Sequence, residues 1–220
     1  MLTESKKAFI EFMMSADVLR FGSFVTKSGR NTPYFVNTGN YKTGEQIAKL
    51  GKFYASLIKE TVGEDFSAMF GPAYKGIPLA TAAAASLYNE YGISKPYFFN
   101  RKEEKDHGEG GSLVGYKPKD GDKIIIIEDV ITAGTAVRET MPILKACADV
   151  QVPHMFISVD RCEVGHTPGK TAIMEVEEEF GVKVHPIVTV VDIHEYLKEH
   201  GTDPELLKAM EGYMEQYCVL

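Results

Sequence analysis

The stretch IIIIEDVITAGTA, residues 124–136, runs from four isoleucines through two acids and an apolar pair into a turn of small residues. A continuous apolar run ended by charge predicts a strand buried on both faces, as in a parallel sheet. In open α/β sheets, ligands gather at the carboxyl ends of strands, and Glu128 and Asp129 stand at such an end. The turn Thr132-Ala133-Gly134-Thr135-Ala136 leaves backbone N–H groups accessible at the start of an expected helix, where the helix dipole is positive. That makes a phosphate cradle, to which Thr132 and Thr135 add hydroxyl donors. Two carboxylates do not favour a phosphate, so they must serve another part of the same ligand. Vicinal hydroxyls of a ribose or a divalent cation both fit. A phosphate cradle beside an acidic pair suggests a ribose 5-phosphate unit. Alone, the residues also fit an ordinary strand-to-helix turn with solvated acids. Neither GxGxxG nor GxxxxGK[ST] occurs in the chain, which argues against a dinucleotide fold and a P-loop.

Outward from this stretch the chain alternates. Strands are expected at 66–70, 95–99, 123–129, 151–160 and 182–192, and helices at 78–92, 135–148, 171–181 and from Asp203 onward. This pattern predicts a mostly parallel twisted sheet with helices on both faces. Thr43-Gly44-Glu45-Gln46 is a T-x-x-Q capping box opening a further helix, and Asp203-Pro204 pairs an N-cap with proline at the first helical position. Residues 1–40 break the alternation. They read as a helix over 4–15 and two short strands around a Lys27-Ser28-Gly29-Arg30 turn, a small N-terminal hood over one end of the sheet. Residues 1–220 otherwise form a single expected domain. The segment 100–123 lacks periodicity, and within it 100–116 is expected to be a mobile loop.

Composition sets outer bounds. With 220 residues, 44% hydrophobic and 25% charged, the chain reads as one soluble globular unit. Its formal charge of −7 argues against general nucleic-acid or membrane-surface binding. An anionic ligand must be held by a local basic site. Three cysteines without a CxxC predict free thiols in a reducing compartment. The N-terminus has no signal-peptide pattern and no apolar run reaches membrane-spanning length, so a cytoplasmic protein is expected.

Two other stretches carry candidate chemistry. FGPAYKG, 70–76, has a Gly-Pro opening and a Gly close, which suggests a tight loop that exposes its N–H groups beside Lys75. FNRKEEKDHGEGG, 99–111, places Arg101, Lys102, Lys105 and His107 among acids in a Gly-ended loop able to fold over a ligand. Each alone also fits a solvated surface turn.

Together these blocks resemble the type I phosphoribosyltransferases that act on orotate. Residues 124–136 match that family's ribosyl-diphosphate signature, with Glu128 where many orotate enzymes have Asp. The resemblance implies the type I phosphoribosyltransferase fold and transfer of the 5-phosphoribosyl group from 5-phosphoribosyl 1-diphosphate to orotate in pyrimidine (UMP) synthesis. It implies that Glu128 and Asp129 contact the ribose hydroxyls and that Val130, Ile131, Thr132, Ala133, Gly134, Thr135 and Ala136 surround the 5-phosphate. It places Tyr74 and Lys75 on the diphosphate. It places Arg101, Lys102, Lys105 and His107 on a neighbouring subunit's donor, making the enzyme a homodimer with a shared site. Lys27 would touch both donor and orotate, Tyr34 and Phe35 would pack along the orotate ring with Thr132 nearby, and Arg161 would bind the orotate carboxylate. Lys102, Lys105, His107 and Asp129 are the expected catalytic groups. Mg2+ is the implied cofactor, held mainly by the donor's diphosphate and ribose hydroxyls. An enzyme for another nucleobase would share 124–136 but not this hood and loop together. A donor-binding regulatory domain would have no use for a cationic lid.

Overall fold

The computed structural model describes residues 2–26, 29–102, 112–131 and 134–220. At its centre lies β6 (Lys123–Ile127), whose four isoleucines are all fully buried. Ile124 and Ile126 pack into one layer with Phe70 and Met155. Ile125 and Ile127 pack into the other with Met69 and Phe156. Burying a side chain of this size contributes roughly 1.5–3 kcal/mol, which is why a strand apolar on both sides takes the middle of a sheet.

The sheet order is β5 (Leu113–Gly115), β4 (Tyr97–Asn100), β3 (Ala68–Gly71), β6, β7 (Gln151–Asp160), β8 (Lys183–Thr189). All neighbours are parallel except β5, which runs antiparallel to β4. The chain builds outward from β3 to one side, then returns to lay β6 on β3's other edge. The strand order therefore switches between β3 and β6, and their carboxyl ends open the crevice where α/β sheets bind ligands.

Helices α2 (Gly44–Thr61) and α3 (Gly76–Tyr91) cover one face through Leu50, Tyr54, Ile58, Leu79, Ala83 and Leu87. Helices α4 (Thr135–Cys147) and α5 (Ala172–Phe180) cover the other through Val137, Met141, Leu144 and Val176. The Thr43–Gln46 capping box forms at the start of α2. Helix α1 (Glu4–Ser15) precedes a two-stranded antiparallel sheet of β1 (Leu19–Val25) and β2 (Asn31–Val36). Phe9, Ile10 and Met13 of α1 share the core of α2 with Val190 and Ile193 of α6 (Val190–Glu199) and Met210 of α7 (Pro204–Tyr217). Lys6 grips both carboxylate oxygens of Asp192 at 2.9 and 2.7 Å, tying α1 to α6. Among the described residues no helix is long and apolar enough to cross a membrane.

Two elements differ from the sequence expectation. The strand expected over 182–192 ends at Thr189, where α6 begins. The β-branched run Ile187–Val191 masks that boundary, but Thr189 and Asp192 form a reciprocal capping box: the Thr189 hydroxyl accepts from the Asp192 N–H at 3.2 Å, and the Asp192 carboxylate accepts from the Thr189 N–H at 2.8 Å. The segment 100–123, expected to be irregular, contains β5. Its residues pair Phe98 with Gly115 and Asn100 with Leu113, and the Arg101 N–H donates to the Ser112 carbonyl at 2.7 Å.

Candidate active site

Glu128 and Asp129 continue the line of β6 past its last regular residue. The Glu128 N–H donates to the Phe156 carbonyl at 3.0 Å and the Ser158 N–H to the Asp129 carbonyl at 2.8 Å. From beneath, the buried Tyr54 hydroxyl donates to the Glu128 carbonyl at 2.6 Å and lies 2.7 Å from the Ser158 hydroxyl. The two acids thus stand on backbone gripped from two elements, and both are buried.

Their environments differ. The Asp129 carboxylate accepts from the Thr38 hydroxyl at 2.6 Å, from Lys75 Nζ at 2.9 Å and from the Val130 N–H at 2.8 Å. Burial pushes its pKa up, but the bonds from Thr38 and Lys75 outweigh that and hold the carboxyl below its usual range. The Glu128 carboxylate accepts from the Asp129 N–H at 2.9 Å. Burial first, and then the Asp129 charge beside it, push Glu128 up to about 8. Within the pair the negative charge is therefore favoured on Asp129 over Glu128.

This asymmetry has a sign that solution measurements can read. The folded Glu128 holds its proton above the ordinary carboxylate pKa of 4.5, whereas the unfolded chain loses it there. Stability should therefore fall as pH rises from about 5 to about 8, by on the order of a few kcal/mol. Glu128→Gln should flatten that slope in urea denaturation, and an unchanged slope would contradict the assignment.

Beside Asp129 runs the loop between β3 and α3. A Cβ on Gly71 would sit 2.3 Å from the Gly76 carbonyl oxygen, and one on Gly76 would sit 2.6 Å from Pro72 Cδ. Only glycine allows the chain to close on itself this tightly, as the Gly-Pro…Gly pattern predicts. The Ala73–Tyr74 peptide is cis. Asn100, at the end of β4, accepts from the Ala73 N–H at 2.8 Å. Tyr74 is exposed, and Lys75 reaches back to Asp129 with its side chain 63% exposed.

On the other side, Gly134 caps α4 at φ 71° without a side-chain hydrogen bond, and a Cβ there would meet Val176 at 2.7 Å. Thr135 and Ala136 are exposed in the first turn of that helix, Val130 is half-buried, and Ile131 is buried against α4 and α5. Two clefts flank these elements. One of about 380 Å3 is lined by Pro72, Ala73, Asn100, Arg101, Lys102 and Ala136. The other, about 420 Å3, lies between Thr38, Tyr41 and Ile47 on one wall and Lys75, Leu79 and Asp129 on the other. Lys102 Nζ is 4.0 Å from Glu139 of α4.

Arg161 follows β7, its guanidinium carbon 5.2 Å over the Tyr34 ring. Tyr34 is fully buried, edge-on to Tyr213, while Phe35 is half-buried and Phe24, also of the β1–β2 pair, lies 5.5 Å from its ring. Lys27, Lys105, His107, Thr132 and Ala133 lie outside the described residues. Thr38, Tyr54, Asn100, Glu163 and Tyr213 are contacts that sequence reasoning did not single out. Thr38, Tyr54 and Tyr213 are joined to the site by tertiary structure alone, whereas Asn100 stands inside the stretch 99–111 and Glu163 two residues past Arg161.

Among the described residues no group of three or more His, Cys, Asp or Glu side chains gathers as a metal cage. What the crevice offers is a carboxylate beside a lysine, a glycine-closed loop and a helix N-terminus whose cap residue, Gly134, brings no side chain, all at one switch point.

Comparison with known proteins gives the same picture. Residues 37–162 match the family model described as a phosphoribosyl transferase domain. The orotate phosphoribosyltransferase of Clostridium acetobutylicum is 56% identical over 224 residues, covering 99% of this chain and 100% of that protein. That of Clostridium beijerinckii is 51% identical, covering 96% and 95%. The crystal structure of orotate phosphoribosyltransferase from Francisella tularensis superposes with a TM-score of 0.87 at 36% identity, covering 96% of this chain and 99% of that one. With the signature acids at the switch point and relatives matching end to end, the chain belongs to the orotate phosphoribosyltransferase family.

Proposed function

We propose that this chain transfers the 5-phosphoribosyl group from 5-phosphoribosyl 1-diphosphate to orotate, giving orotidine 5'-phosphate and diphosphate in de novo pyrimidine synthesis. The observation that carries this is Asp129 at the β3–β6 switch point, with the glycine-capped α4 N-terminus on one side and the Pro72–Lys75 loop on the other. Full-length relatives at 56% and 51% identity bear the name of that activity.

The residues divide the donor among them. Thr135, Ala136 and the first-turn N–H groups of α4 take the 5-phosphate. Asp129 and Glu128 take the ribose hydroxyls. Lys75 neutralises Asp129 while the donor is away, and its exposed side chain turns to the diphosphate when the donor arrives. Arg101 and Lys102, expected from the resemblance on a neighbouring subunit's donor, line the cleft beside Pro72 and Ala73 of their own chain, and from there they add positive charge for the same group. Arg161 receives the orotate carboxylate, with Phe35 along the ring; Tyr34, expected beside Phe35, is fully buried under the Arg161 guanidinium and supports it from below instead.

In the reaction the sugar C1–O bond breaks with its electron pair leaving on diphosphate, orotate N1 bonds to C1, and the N1 proton is released. The barrier lies in charge separation, so groups aimed at the developing charges do most to lower it. Asp129 favours positive character on the ribose, while Lys75 and Lys102 favour the departing diphosphate. Magnesium takes oxygen ligands and commonly binds through one or two carboxylates plus substrate phosphates. Asp129 would fit that mode, with the donor's own diphosphate and ribose oxygens supplying most of the shell. When bound, the ion neutralises charge on the leaving group.

The working form is a cytoplasmic homodimer in which Lys105 and His107 serve the partner's site. Mixing Lys105→Ala chains with Asp129→Ala chains tests this: each mixed dimer holds one site with both residues intact, so about a quarter of wild-type activity should return. If mixing restores nothing, the loop serves its own subunit. The transfer itself is checked by phosphorus NMR, where one diphosphate should appear for each orotate consumed. Diphosphate appearing with ribose 5-phosphate and without nucleotide would indicate donor hydrolysis instead.

A further inference from the structure

Arg161 is held by a cluster that reaches the far end of the chain. Its Nη2 lies 2.7 Å from a Glu163 carboxylate oxygen as an ion pair and donates to the Tyr213 hydroxyl at 3.0 Å. The Tyr213 hydroxyl donates to the same Glu163 oxygen. Arg30, just before β2, reaches the other Glu163 oxygen at 3.2 Å. The Glu163 backbone bridges to Cys218, and the Val219 N–H donates to the Cys162 carbonyl at 2.9 Å, so the chain after α7 is stitched beside Arg161. Below lies Tyr34, whose buried hydroxyl has no partner among the described residues, and the buried Nε of Arg161 likewise has none among them.

We propose that Glu163 and Tyr213 are positioning residues for the acceptor. They grip one nitrogen of the Arg161 guanidinium so that its remaining N–H groups meet the acceptor's carboxylate, and α7 is thereby part of the acceptor site. This rests on the reading of Arg161 as the partner of the orotate carboxylate. Three physical points support it. Arginine offers five donors in a rigid fork, so anchoring one nitrogen leaves others aimed in fixed directions. An anchored side chain has little rotamer freedom left to lose on binding. Within the cluster, two guanidiniums face one carboxylate, leaving one net positive charge for a monoanion. A lone arginine on a loop would supply the charge without the direction.

Tyr213→Phe removes one hydroxyl and keeps the ring against Tyr34. Glu163→Gln keeps the side-chain shape and removes the charge. Steady-state kinetics with each substrate varied, together with thermal melting, read the result. KM for orotate should rise about tenfold in each variant, the loss expected for a hydrogen bond to a charged group, with KM for the donor within about twofold and melting nearly unchanged. An unchanged KM for orotate in both variants overturns the proposal, as does a parallel rise in both KM values with a lowered melting temperature, which is the mark of a structural role. Arg161→Ala separates the two levels. If it raises KM for orotate while the Glu163 and Tyr213 variants do not, only the positioning role fails. If it leaves orotate unaffected, the acceptor reading of Arg161 fails as well.

Discussion

Asp129→Asn lowers kcat by about 10²–10³-fold, the usual loss when one group aimed at developing charge is removed, and leaves the fold in place. The substitution keeps the side chain's size at a buried position, so packing against its neighbours survives. It deletes the negative charge that Thr38 and Lys75 together hold below the usual carboxylate range. That charge is stronger in its effect on a transition state with positive ribose character than on the neutral ground-state sugar, so the loss falls on kcat more than on KM for the donor. Lys75 loses its partner at the same time, but its exposed ammonium remains solvated, so it adds little to the cost. Steady-state rates at saturating substrates with a circular-dichroism melt check this. A kcat within threefold of wild type would remove Asp129 from the chemistry.

Gly71→Ala damages the donor site through the backbone. Its new methyl would lie 2.3 Å from the Gly76 carbonyl oxygen and 2.7 Å from that carbonyl's carbon, both main-chain atoms with no rotamer to change. Gly76 has little room to give, because a Cβ on it would itself meet Pro72 Cδ at 2.6 Å and the Ile127 carbonyl oxygen at 2.9 Å. The loop must therefore move, at a cost of roughly 1–3 kcal/mol of stability. Lys75 moves with it. Displacing a positioning group by about an ångström costs on the order of 10²-fold in rate, so kcat/KM for the donor should fall by about that factor. Gly212→Ala is the control: it lies inside α7 with nothing within 4 Å of a new Cβ. It should raise stability by up to about 1 kcal/mol with kinetics unchanged. Equal behaviour of the two variants in a denaturant titration and a donor-dependence assay would contradict the close-approach argument.

What the sequence made legible is what is local. Four isoleucines in a row announce a strand buried on both faces, and β6 is that strand. The glycines at 71 and 76 announce a tight loop, and their close approach is the reason. Capping residues mark the starts of α2 and α7. The start of α6 carried a Thr-x-x-Asp signal of the same kind, but a run of β-branched residues obscured it. Strand β5 was hidden for another reason: three residues at a sheet edge leave no period to detect.

The site was legible in proportion to how much of it is one segment. Glu128 and Asp129 are adjacent, and the turn that follows is continuous with them. Thr38 is 91 residues from Asp129 and nothing around it signals that contact. Tyr213 is 52 residues from Arg161, in a helix whose pattern announces only an amphipathic face. Such partners are set by where the sheet and its crossovers deliver the chain, and a sequence pattern with a period of two or 3.6 residues does not encode that.

The central claim is tested most directly by acceptor choice. Orotate, uracil and adenine are each supplied with 5-phosphoribosyl 1-diphosphate and magnesium, and loss of the free base is followed by ultraviolet absorbance. The account predicts that orotate is consumed, only when donor is present, and that uracil and adenine are not. Turnover of uracil or adenine with orotate left untouched would contradict it.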